Sequence, residues 1–173
     1  ATLQFVVLRW AADVMQLSLE HAAYLQAAVA IGVIAGAALA GRYVSLDQAK
    51  RVLPAGVVLG LLMPAVASAS SLAVAVPLLV LAGAVGGVLV VPLNALLQHR
   101  GHVLLSAGRS IAVQGFNENL SILLMLAGYA ALLAIDVSIV PLMWGFGLMI
   151  AAAIALLMRM EGSRPRPVAV PEA

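Results

Sequence analysis

Of 173 residues, 64% are hydrophobic and 9% are charged, and the mean hydropathy is +1.12. Ordinary soluble domains run at roughly 45–50% apolar and about 25% charged, and a soluble fold of this size has too much surface to hide the excess. The net charge of +2 names no partner, and the lack of cysteine excludes disulfides, thiolate metal sites and cysteine nucleophiles. The composition points to an all-α membrane protein, a bundle of about six transmembrane helices.

A transmembrane helix needs about 20 mostly apolar residues. The first candidate is Ala1 to Leu17, short and reading as truncated. It carries Arg9 and Asp13. The second is Ala22 to Val44, the third Leu53 to Ala69, the fourth Leu72 to Leu97, the fifth Ser110 to Ile135 and the sixth Val137 to Met158. Residues 1–158 then form one six-helix transmembrane domain. Residues 159–173 (RMEGSRPRPVAVPEA) are rich in Pro and Arg and read as a disordered cytoplasmic tail. Long apolar runs without polar alternation do not suit an outer-membrane barrel. Pro64, Pro77 and Pro92 fall inside helices, which membrane bundles tolerate when neighbours satisfy the freed carbonyls. The chain opens at Ala1 without Met or a cleavable leader, as a piece of a longer protein would.

The segments between helices sort by charge. Arg42, Lys50 and Arg51 sit between the second and third, and Arg100 and Arg109 between the fourth and fifth, with His99 and His102. Arg159, Arg164 and Arg166 follow the sixth. The alternate segments hold Glu20, His21, the SASS stretch and Asp136, with no Lys or Arg. Cytoplasmic loops carry the Lys/Arg excess, so both chain ends are expected in the cytoplasm. Loop 42–51 suits an anchor to anionic lipid, with a gating role as the alternative.

Gly32 and Gly36, Gly56 and Gly60, and Gly83 and Gly87 recur at the spacing that lets helix backbones approach. Packing inside one bundle is favoured over a dimer interface.

Ionisable residues inside a membrane are costly and usually face a bundle interior or a wet cavity. Arg9, Asp13 and Glu118 are the three here. Arg9 and Asp13 are four apart and can pair on one helix face. They line a substrate path, with Arg9 meeting a phosphate, or they form a local ion pair near the interface. In QGFNENLS, Gln114, Glu118 and Ser121 share a face with Asn117 adjacent, and Asn119 follows. This cluster contacts substrate or a coupling ion, or it fixes helix packing; spacing leaves both open. Asn94 and Gln98 read as interface polar residues. His99 and His102 lack a third metal ligand.

Catalytic signatures are missing. There is no GxSxG elbow, no HExxH and no phosphate-binding Gly-Lys-Ser/Thr loop. No enzyme, cofactor or nucleic-acid partner is expected.

The run VVPLNALLQHRG (Val90 to Gly101), followed by SIAVQGFNENLSILLMLAGY (Ser110 to Tyr129), resembles the bacterial lysophospholipid transporter family of the major facilitator superfamily. YLQAAVAIGVIAGAALAGRYVSLDQAKRVLPAG (Tyr24 to Gly56) looks like that family's preceding helices, and TLQFVVLRW is similar to the start of its seventh. The resemblance covers nearly the whole chain before the tail and only the C-terminal six-helix half of the family. It departs at Gln114-Gly115, where Gln-Asn is expected, and at Asn117, which stands for glycine. Gln4 occupies a place where arginine is expected, so that arginine's role passes to Arg9 or is lost. Glu118 and Asn119 match directly.

The resemblance implies two six-helix halves with a substrate cavity between them, rocking about a site near the midplane. It implies a bacterial inner-membrane flippase carrying lysophospholipids such as lysophosphatidylethanolamine from the outer to the cytoplasmic leaflet. An acyltransferase and acyl-carrier-protein synthetase, separate or fused, would reacylate them there. The residues expected at substrate are Glu118, Asn119, Gln114, Asn117, Arg9 and Asp13. Two alternatives remain at this stage, a proton-coupled exporter of drugs or small solutes and a non-transporting membrane scaffold.

Overall fold

The computed structural model describes residues 2–104, 107–134 and 137–162. It contains six α-helices: α1 (Thr2–Asp13), α2 (Leu19–Tyr43), α3 (Leu53–Ala67), α4 (Leu72–Leu104), α5 (Ala107–Ala134) and α6 (Ile139–Gly162). A short 3₁₀ segment, Leu46–Val52, leads into α3. Among the described residues four helical stretches are long and apolar enough to cross a membrane: Glu20–Tyr43, Gln48–Ala67, Leu72–Gly101 and Ile139–Met160. At 12 residues, α1 falls short of a span. The all-α membrane class expected from composition is therefore what the chain adopts.

Local chemistry sets several of these boundaries. Ser18 caps α2, its hydroxyl accepting from the His21 backbone N–H at 3.4 Å. Pro54 sits in the first turn of α3, where its missing N–H costs nothing. After α1, Gln16 adopts a positive φ of 53° and donates from its side-chain amide to the Asp13 carbonyl at 3.0 Å. The fourth helix runs past the expected end at Leu97 to Leu104, because LQHRGHVL contains no proline to stop it. His99 and Arg100 thus ride on the helix and not in a loop. At about 1.5 Å per residue α4 is about 50 Å long, against a hydrocarbon core of about 30 Å, so its charged end projects beyond the lipid. Likewise α6 continues through Arg159 to Gly162. Asp136 and the tail residues 163–173 lie outside the described residues.

Two seams of small residues hold the bundle. Gly32 and Gly36 of α2 face Val80 and Ala84 of α4, while Gly83 and Gly87 of α4 face Val29 and Val33 of α2. Both contact positions rise together along the chain, so α2 and α4 run parallel. In the second seam Gly56 of α3 meets Ile154 of α6, and Gly60 meets Gly147 and Ala151, an antiparallel crossing. The glycines noted for their spacing thus face neighbouring helices of the same chain.

These directions gather the cationic ends. Arg42, Lys50, Arg51, Arg100 and Arg159 all fall at one end of the bundle. There Lys50, His99 and Arg100 line a cavity of about 400 Å³ between the 3₁₀ segment and α4. The densest core lies at the opposite end. It gathers Val6 and Trp10 of α1, Leu25 of α2, Val66 of α3, Leu79 of α4, Tyr129 of α5 and Met143 of α6. Trp10 is fully buried and its indole N–H donates to the Ala67 carbonyl at 3.3 Å.

Candidate functional site

Helix α5 touches the rest of the bundle mainly near its two ends. At one end Tyr129 joins the core beside Trp10. At the other, Ser110 lies so close to Gly101 of α4 that a Cβ on that glycine would run into its side chain. Between these points α4 and α5 part, leaving a cleft of about 510 Å³.

Into that cleft face Gln114, Asn117, Glu118 and Ser121 of α5, opposite Val90, Asn94 and Leu97 of α4. The face inferred from spacing alone is the face that lines the cavity. Glu118 stands about 16 Å along α5 from Ala107, at about 1.5 Å per residue, well inside the helix. Gln114 reaches across and donates from Nε2 to Asn94 Oδ1 at 3.4 Å, a long and weak bond. The cleft therefore offers one carboxylate, three carboxamides and two hydroxyls, Ser110 and Ser121, against an apolar wall.

Other expected residues lie elsewhere. Asn119 points away from the cleft lining and donates from Nδ2 to the Gly115 carbonyl of its own helix at 2.9 Å. Arg9 and Asp13 are not in the lining either. They pair on α1, Arg9 Nε to Asp13 Oδ2 at 2.8 Å, with both side chains about half exposed (51% and 46%). Asn94, read from sequence as an ordinary interface residue, belongs to the cleft. Its signal was available: it lies four residues after Val90 on the same face of α4. Among the described residues no group of three or more His, Asp or Glu gathers to hold a metal ion.

Known proteins resemble this chain along most of its length. The chain is 40% identical over 158 residues to the lysophospholipid transporter LplT of Shigella flexneri, covering 90% of this chain and 40% of that protein. It is 40% identical over 158 residues to LplT of Escherichia coli (strain K12), again covering 90% and 40%. Against LplT of Klebsiella pneumoniae (strain 342) the identity is 41% over 157 residues, covering 90% and 40%. The chain resembles the lysophospholipid transporters. The likeness read from Val90–Gly101 and Ser110–Tyr129 is borne out, and the chain is a multi-pass membrane protein. It spans about two fifths of the length of these relatives. No protein-family model matches the chain, and no solved structure does.

Proposed function

We propose that this chain forms the C-terminal six-helix half of a major facilitator carrier that moves lysophospholipids from the outer to the cytoplasmic leaflet of a bacterial inner membrane. The observation that carries the reading is the coincidence of a polar cleft in mid-helix with 40% identity to named lysophospholipid transporters. Lipid would not tolerate such a cluster without a role in packing or in binding.

The chemistry suits a zwitterionic headgroup. The Glu118 carboxylate accepts from the ammonium of an ethanolamine head, and the amides of Asn94, Gln114 and Asn117 donate to phosphate oxygens. Arg9, oriented by Asp13, stands on α1 away from the cleft, and meets the phosphate at a different stage of the substrate's passage. Asn119 sits beside Glu118 and supports that stretch of α5. The basic end of the bundle faces the cytoplasm, as the Lys/Arg bias of cytoplasmic loops supports. Residues 1–158 act as the transmembrane domain, and the tail is cytoplasmic. An N-terminal six-helix half completes the cavity. A separate or fused acyltransferase and acyl-carrier-protein synthetase consumes the product, and no cofactor is needed for the transfer itself.

The test is uptake of labelled lysophosphatidylethanolamine by cells lacking their own transporter and expressing the full-length protein. Labelled diacyl lipid accumulating inside is the expected result. Its absence, with the protein confirmed in the membrane, overturns the reading.

A further inference from the structure

Two cavities lie end to end along one face of α4. The polar cleft begins at Val90 and extends toward Gly101. A second cavity, of about 330 Å³, extends from Val91 and Val90 back to Leu79 and is walled also by α1, α2 and α3. Val90 lines both. On α4 the lining positions Leu79, Gly83, Gly86, Val90, Asn94 and Leu97 recur at steps of three or four, which is one helix face. On that face Asn94 is the first polar side chain, and the rest of the cleft's polarity comes from α5. The second cavity is apolar throughout except for Gln26, and its α4 wall from Leu79 to Val90 is about 16 Å long at about 1.5 Å per residue.

Gly86 is the informative residue. Its neighbours Gly83 and Gly87 are needed for packing, since a Cβ on either would run into the α2 backbone. A Cβ on Gly86 would meet nothing within 4 Å. A side chain is missing there without any helix pressing against it, and the space it leaves is part of the cavity.

We propose that this apolar cavity holds the single acyl chain of the lysophospholipid whose headgroup occupies the polar cleft; the inference rests on the transport reading above. The volume lies near the low end of ordinary ligand cavities, about 300–1,000 Å³, and the cavity's α4 wall, about 16 Å at about 1.5 Å per residue, runs along most of one extended chain. The membrane's own tails are as apolar as the cavity wall, so the hydrophobic effect does not drive entry. The gain is close dispersion contact in a space otherwise unfilled, which makes binding sensitive to lost volume.

The experiment compares uptake of palmitoyl lysophosphatidylethanolamine with that of the butanoyl lipid, whose short chain ends before Gly86, by the full-length protein carrying Gly86→Leu. The control is Gly145→Leu, an exposed α6 position equally free of neighbours. The expected result is a fall of about tenfold for the palmitoyl lipid, because the leucine side chain fills the space in which its chain makes close contact. The butanoyl lipid stays near the unmutated rate, and the control changes neither. If Gly86→Leu leaves both lipids unchanged, or lowers both equally at normal membrane levels, the cavity assignment falls. The transport reading survives, because the unmutated protein still moves both. If the unmutated protein moves neither, both readings fall. Should the variant not reach the membrane, unmutated protein is photolabelled with a lysolipid carrying a diazirine at its chain end. Label on residues 79–91 of α4 or on the facing walls at Val7, Gln26, Val29, Val33, Leu59 and Met63 supports the cavity, and label confined elsewhere overturns it.

Discussion

Glu118 is the residue on which the site turns. It lines the cleft among carboxamides, in a helix whose other exposed side chains include Ile111, Phe116 and Leu123. Glu118→Gln keeps the size and removes the charge. In the full-length protein it is expected to lower lysophosphatidylethanolamine uptake about tenfold, since hydrogen bonds to charged groups contribute about 1.5–3 kcal/mol. Unchanged uptake at equal membrane levels would remove Glu118 from the binding set. Its helix face was legible from spacing, because a period of 3.6 fixes which side chains share a face. What lay opposite was not legible. Asn94 became a partner only because α4 and α5 meet at Gly101 and Ser110 and part beyond them.

Among the elements, the α2–α4 and α3–α6 seams carry the packing. Where lipid is the solvent, burial of apolar surface does not drive helix association, and close backbone approach does. Gly36→Ala puts a Cβ against the Ala84 carbonyl. It is expected to destabilise the folded protein in detergent by about 1–3 kcal/mol. Gly145→Ala, inside α6 with open space at its Cβ, is expected to leave stability unchanged or raise it by about 0.5–1 kcal/mol through reduced backbone freedom. Equal effects of the two substitutions in denaturant titration would show that the seams are not what holds the bundle. The glycine spacing announced close packing, but it could not say which helix faced which. Nor did the apolar run mark where α4 ends, because nothing in LQHRGHVL breaks a helix.

At the scale of the whole molecule, packing is uneven. The core is dense at the neutral end, around Trp10, Leu79 and Met143, while α4 and α5 meet at the basic end, at Gly101 and Ser110, and part between there and the core. The chain itself has no cysteine, so a single cysteine introduced into it is read against the unsubstituted protein. Ser70→Cys is expected to react with an impermeant maleimide on intact cells, and Lys50→Cys only after the membrane is opened. The reverse pattern would invert the proposed orientation.

The sequence by itself determined the membrane class, the helices to within a few residues except for the end of α4, and the polar face of α5. Composition, run length and helical period are local properties, written in the order of residues. Only the tertiary structure decided that α2 and α4 run parallel along a glycine seam, and that Arg9 and Asp13 pair away from the cleft. It also placed an apolar cavity and a polar one end to end at Val90. Those are relations between helices far apart in the chain, and they follow from which surfaces fit together once packed.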